Sequence, residues 1–434
     1  MAKCVSNKSS RRDFIKASAA ASLGVLAFQS DRIFAAGSDK IRVGLVGCGG
    51  RGTGAATNCV ESSQNVEIVA MGDLFRDQLD KSLARLSRKV DDKVSVTDDT
   101  SFTGFDAYKK VLACDIDMVI LATPPHFRPI QLRAAIEAGK HVFMEKPVGV
   151  DPVGIRSVIE SAELAKQKGL AIVAGTQRRH QNDYLEIMKR VHNGDIGEPK
   201  AGQCYWNQGD LWVSRATENW KKKQALGWSD MEWQIRNWLF LAWLSGDHIV
   251  EQHVHNLDVI NWAMGSHPVQ CLGLGGRQVR TEPQYGNIFD HFTVEYEYPN
   301  GARVLSICRQ IPGCTNSVSE RVIGTKGQCY THGSTGYIEG SKPYKYDGKS
   351  PDPYVQEHAD LIASIRSGNV LNEGRRVAES TLTAIMGRMS AYTGRALKWD
   401  WVMKASKLDL RPPSYEFGDL PMRPVAVPGK TPLV

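Results

Sequence analysis

Short apolar runs and helical periods alternate along the first part of this chain. Residues 40–46 alternate and are rich in β-branched side chains, which predicts a strand. A helical segment over 53–60 follows, then a strand over 66–71 and an amphipathic helix over 78–89. Residues 91–104 are polar and read as loop. The unbroken apolar run 117–122 predicts a strand buried on both faces, as in a parallel sheet. A helix over 130–138, stopped by Gly139, leads to a strand over 141–144. A further helix over 151–168 ends at Gly169, and another strand occupies 170–174. Strands and helices that take turns in this way predict an α/β unit.

The second part reads differently. A helix over 182–192 stops at Gly194, and a strand runs over 200–206. Residues 206–243 hold seven of the ten Trp residues, with Lys221-Lys222-Lys223 among them. Indole faces suit either stacking on sugar rings or plugging the segment into the core or a subunit interface, and both readings stand at this point. Residues 246–264 read as one helix. Strands recur over 269–274, 288–298, 302–311 and 317–323, with Pro299-Asn300-Gly301 as a hairpin turn. Helices over 355–367 and 377–392 close this part, and the tail from Leu408 is rich in Pro.

A length of 434 residues suits two domains. Of the +7 formal charge, residues 1–36 contribute +4, from six Lys/Arg against two Asp, so about +3 is left for the rest. That remainder leaves no basic stripe for nucleic acid. The nine Cys show neither a CxxC nor a zinc-finger spacing, so they read as buried thiols.

Ser10-Arg11-Arg12-Asp13-Phe14-Ile15-Lys16, the apolar run 17–28 and Ala35-Ala36 predict a signal peptide over 1–36. Its apolar run is too short for a comfortable membrane span, so no stable anchor is expected. The paired Arg resembles a Tat signal, which implies export of a folded protein to the periplasm. A dinucleotide needed outside would then be loaded inside and held.

The strand over 40–46 runs into Gly47-Cys48-Gly49-Gly50-Arg51-Gly52, a GxGxxG with a helix behind it. Its glycines allow a tight turn, close approach of the backbone to a pyrophosphate, and helix-on-strand packing. Asp73, 21 residues past Gly52 at the end of the next strand, is placed to take ribose hydroxyls. Its carboxylate repels a 2′-phosphate and favours NAD, while Arg76 leaves NADP open. Thr123-Pro124-Pro125-His126 ends the third apolar strand and would lie over the cofactor. Glu145-Lys146-Pro147 ends the next one.

These motifs together resemble the Gfo/Idh/MocA oxidoreductases, over about residues 40–395. The resemblance implies a Rossmann dinucleotide-binding domain over 37–150. It implies a second α/β domain over 151–400, for substrate binding and oligomerisation, with a large open, mainly antiparallel sheet. A tail over 401–434 completes the chain. The expected activity is hydride transfer between a tightly bound NAD(P) and a sugar or cyclitol hydroxyl, in a homodimer or homotetramer. In the family an Asp-x-x-x-His pair faces the nicotinamide. Here His255 matches the His, and Glu251 stands at the Asp position. His255 suits the proton-accepting role because imidazole titrates near neutrality. Lys146 would orient the substrate hydroxyl or share its proton. Arg178 and Trp238, with Arg236 behind them, are candidates for binding substrate. His248, Glu251 and His255 fall at a spacing that also serves metals, but no further ligands are apparent and no metal is assigned. Two other readings remain: an NAD-dependent glycosidase working by transient oxidation and elimination, and a non-catalytic sugar-binding protein of the same fold.

Overall fold

A computed structural model describes residues 39–434. The signal-peptide reading over 1–36 lies outside the described residues. Six parallel strands form the first sheet: β1 (Ile41–Val46), β2 (Val66–Asp73), β3 (Ser101–Thr103), β4 (Met118–Leu121), β5 (His141–Met144) and β6 (Ile172–Ala174), in the order β3-β2-β1-β4-β5-β6. Val43, Leu45, Val119, Ile120, Val142 and Phe143 are fully buried, because helices cover both faces of a parallel sheet. The order reverses between β1 and β4, which opens a crevice at the carboxyl ends of the strands. Register sharpens this point. Val46 pairs with Leu121 and Leu121 with Met144, so Gly47, Ala122 and Glu145 leave the sheet at one level.

Helix Pro152–Lys168 is capped by the Asp151 side chain, which accepts from the Gly154 amide, and stops at left-handed Gly169. It delivers β6 to the edge of the first sheet, so that sheet extends past residue 150 to Ala174.

Nine strands form the second sheet. They are β7 (Pro199–Gln208), β8 (Gln270–Gly276), β9 (His291–Glu297), β10 (Arg303–Gln310), β11 (Ser317–Gly324), β12 (Gly327–His332), β13 (Thr335–Gly340), β14 (Tyr344–Lys345) and β15 (Leu397–Lys398), in the order β14-β13-β12-β11-β7-β10-β9-β8-β15. Only β7 and β10 pair in parallel. Helices Val254–Met264 and Gly374–Thr393 cover one face. The other leaves Leu272, Leu274 and Ile323 exposed.

Four local features differ from the sequence reading. The polar stretch 91–104 contributes β3, an edge strand whose short length and exposed Thr103 hide its pattern. The hairpin of β12 and β13 was not expected, since its Gly and polar residues dilute any apolar alternation. The Trp-rich stretch folds into helices Val213–Leu226 and Asp230–Arg236. The single helix expected over 246–264 is two pieces, His248–Glu251 and Val254–Met264.

The start of the first piece is set by Asp247, at φ +73° and fully buried. Its carboxylate accepts from the amides of His248 (2.6 Å) and Phe289 (2.7 Å) and from the Tyr392 hydroxyl (2.6 Å). Replacing Asp247 by Ala strands these donors without water. Denaturant unfolding of Asp247→Ala is expected to show a loss of about 3 kcal/mol.

Candidate active site

The Gly-rich turn is built by close approach. A Cβ on Gly47, whose φ is +96°, would lie 2.5 Å from the Ala122 carbonyl carbon and the Thr123 amide. A Cβ on Gly52 would lie 1.8 Å from the Gly47 carbonyl oxygen. Gly49 and Gly50 face open space instead. This leaves bare backbone at the start of helix Gly50–Ser62, where phosphate oxygens are stabilised by free amides and the helix dipole. The turn opens into a cavity of about 890 Å³. Gly47, Gly49, Gly50, Arg51, Gly52, Asp73, Thr123 and Pro124 all line it. A dinucleotide fits this donor set.

Asp73 accepts from the Cys48 amide (2.6 Å) and the Phe75 amide (2.9 Å), which fixes its carboxylate at the end of β2. Burial pushes that carboxyl up, and the two amides oppose the shift. Arg76 is elsewhere: it pairs with Asp80 (2.8 Å) on the exposed side of its own helix and does not line the cavity. Pro125 and His126 are also turned away from it. The His126 ring packs on Trp243 at 4.9 Å and meets the Tyr415 hydroxyl at 2.9 Å, and burial pulls its pKa down to about 3.

At the end of β5, Glu145 is buried and pairs with Arg51 of the Gly-rich turn. Arg51 also reaches Glu357 (3.3 Å) and lies 4.9 Å over the Tyr354 ring. Burial, with Glu145 next to it, pushes the Glu357 carboxyl well above its ordinary value. Lys146, joined to Pro147 by a cis peptide, crosses to the second domain. Its Nζ donates to the backbone carbonyl of Glu251 and, at 3.0 Å, to its Oε1.

His255 opens the first turn of helix Val254–Met264, four residues beyond Glu251. Its ring is stacked on Trp206 of β7, with centroids 5.8 Å apart and planes 20° apart. Burial, then the cations of Lys146 and Arg178, hold its pKa well below the ordinary value. The imidazole is therefore neutral and able to accept a proton.

Arg178 is buried and ion-paired with Glu320 at 2.5 Å, with its guanidinium 5.8 Å over the Trp206 ring. Glu320 also accepts from Asn256, Tyr184 and Thr331. Arg178 thus stands behind Trp206, a support that the sequence reading missed. The QRR stretch and the first Trp of the Trp-rich region were its only sequence signals.

Trp238 and Arg236 fall outside the Lys146 group. Both line the dinucleotide cavity, with Trp212 and Trp228. Of the other Trp in the stretch, Trp233 and Trp243 are buried core residues. Asp258, aligned with His255 by sequence spacing, is used by Arg179 (2.7 Å), Arg376 (3.1 Å) and Ser380 (2.7 Å). Among the described residues no group of three His, Cys, Asp or Glu converges on a metal position, and His248 faces Asp247. All described Cys are free.

The Gly-rich cavity fits a dinucleotide, while Glu145, Lys146, Glu251 and His255 do not line it; the Lys146–Glu251 pair and the neutral His255 form a separate group beyond the end of β5. The model of an oxidoreductase family with an NAD-binding Rossmann fold matches residues 41–175, and the GFO/IDH/MocA C-terminal domain matches 184–330. The chain belongs to the Gfo/Idh/MocA family. It is 32% identical to inositol 2-dehydrogenase 4 of Saccharopolyspora erythraea over 38% of this chain and 45% of that one. It is 27% identical to 2,7-anhydro-N-acetylneuraminate hydratase of Escherichia coli, over 43% and 44% of the two chains. The chain spans about half the length of these curated relatives. Among solved structures, aldose-aldose oxidoreductase from Caulobacter crescentus superposes with a TM-score of 0.64 at 16% identity, over 83% of this chain and 99% of that one. Myo-inositol 2-dehydrogenase from Lactobacillus plantarum gives 0.60 at 22% identity over the same shares. Both share the fold.

The Arg51 cluster yields a pH-dependent prediction. Arg51→Met leaves Glu145 and Glu357 buried without their cation. A carboxyl whose folded pKa is raised binds its proton in the fold, so stability is kept below the unfolded pKa and falls as pH rises. Unfolding of Arg51→Met is expected to show a loss of about 2 kcal/mol at pH 8, and a smaller loss at pH 5. The figure is below that for a fully buried pair because the Arg51 side chain is 37% exposed.

Proposed function

We propose that this protein is an exported NAD(P)-dependent oxidoreductase that transfers hydride between a tightly bound nicotinamide cofactor and a sugar or cyclitol hydroxyl. The observation that carries the reading is the contact of Lys146 with Glu251 across the two domains, with His255 four residues further on. Gly47, Gly49, Gly50 and Gly52 would hold the cofactor's phosphates, and Asp73 its ribose. When bound, the nicotinamide supplies the hydride acceptor. Asp73, and the surface pairing of Arg76, favour NAD over NADP.

The side chains divide the rest of the chemistry. His255, neutral and desolvated, takes the hydroxyl proton at a ring nitrogen. Lys146 donates to the substrate oxygen and fixes its position. Glu251 holds Lys146 and accepts from a neighbouring hydroxyl. Trp206 and Arg178 keep the imidazole in place. The names of the relatives, inositol dehydrogenases among them, support a polyhydroxylated substrate. Exposed Leu272, Leu274 and Ile323 support assembly into a homodimer or homotetramer through the open sheet face. The paired-Arg leader supports a periplasmic location.

Purified mature protein, denatured with acid, is expected to release a nicotinamide dinucleotide. Protein that is empty and binds neither NAD nor NADP would end the proposal. On a substrate found by screening sugars and cyclitols for nicotinamide reduction, Lys146→Met and His255→Ala are each expected to lower kcat by about 10²- to 10⁴-fold. Dinucleotide binding in these variants should be retained. The acid limb of the kcat/KM profile is expected below pH 6.5, since His255 is depressed from that value. Arg178→Gln removes a nearby cation and should move the limb upward.

A further inference from the structure

The outer wall of the dinucleotide cavity comes from the second domain. Trp212, Arg215, Trp228, Arg236 and Trp238 line it opposite the Gly-rich turn. They meet the end of β2, where Asp73 marks the ribose position. Arg236 donates to Asp77 at 3.1 Å and lies 3.7 Å over the Phe75 ring and 4.8 Å over the Trp228 ring. Arg215 lies 4.8 Å over Trp212, and Trp212 meets Trp238 edge to face at 5.7 Å. Planar rings and guanidinium groups of this kind stack with nucleobases, and the cations favour a phosphorylated ligand.

This wall is tied down from behind. Phe417 of the tail stacks on Phe75 at 6.0 Å and packs on Phe105 at 5.4 Å. The Met231 amide donates to the Gly418 carbonyl (3.1 Å), and Gln234 donates to the Leu420 carbonyl (2.6 Å). The tail therefore fastens helix Asp230–Arg236 to the first domain beside the cavity.

We infer that residues 212–238, fastened by residues 415–420, form a cap that clamps the adenosine half of the dinucleotide and keeps it from exchanging during turnover. The inference rests on the dinucleotide reading above and adds residues and a role to it. On this side the Arg236–Asp77 pair and the Arg236–Phe75 stack join the wall to the first domain. The cap also distinguishes Trp238 and Arg236 from residues that touch the sugar: their variants should change cofactor retention first.

The test uses full-length mature protein loaded with NADH, passed through rapid gel filtration at intervals after addition of excess NAD⁺. Dinucleotide remaining with the protein is measured after denaturation. Wild type is expected to retain NADH, and Trp212→Ala and Arg236→Ala to lose it at least about tenfold faster. Trp212 is 40% exposed, so its substitution leaves the fold intact and keeps the test informative if Arg236→Ala misfolds. Release from Trp212→Ala at the wild-type rate would overturn the cap while leaving the dinucleotide reading in place. Wild type that never holds NADH or NAD⁺ would overturn both.

Discussion

One ammonium group ties the two halves of this molecule together at the site. Lys146 sits at the end of a strand whose neighbours stop at the same level. Its Nζ is shared between the carbonyl and the carboxylate of Glu251. A partly buried cation is stabilised by carboxylate and carbonyl partners of this kind, through charge-assisted hydrogen bonds. The same cation lowers the basicity of His255, so its charge and the neutrality of the imidazole are parts of one electrostatic arrangement.

Around that pair the structure is layered by support. Glu320 holds Arg178, Arg178 stands behind Trp206, and Trp206 stacks on His255. On the other side Arg51 links the Gly-rich turn to Glu145, the residue before Lys146. The first chain of contacts ends in Glu320, a carboxylate bonded in several directions. Side chains held in this way are pre-organised for chemistry.

Much of this was legible in the sequence, and the reasons differ by region. The strand ends of the first domain carry their chemistry locally, in Gly47 to Gly52, Asp73, Thr123 and Lys146, because backbone geometry and motif coincide there. Glu251 and His255 were found through the family pattern, but the break after Glu251 was not. The start of the piece before it was not legible either, since it is set by buried Asp247 answering to Phe289 and Tyr392, partners far away in sequence. Arg76 read as a phosphate ligand by its nearness to Asp73, yet an i,i+4 pair with Asp80 holds it on the surface. Pro125 and His126 follow the correct strand but turn under it, into an aromatic cluster built partly by Tyr415. Trp238 was assigned to the sugar by residue type, and only tertiary packing reveals which cavity it faces. Arg76 apart, the missed features share sequence distance: a contact made across tens to hundreds of residues leaves no local pattern.

The tail shows what such distance implies for biosynthesis. Residues 415–420 are synthesised after both sheets, yet they brace the wall nearest Asp73. A nascent chain that has finished its Gly-rich turn therefore still has an open crevice. Until residues 415–420 are made, helix Asp230–Arg236 lacks the Gly418 and Leu420 carbonyls that accept from Met231 and Gln234, and Phe75 lacks its stack with Phe417.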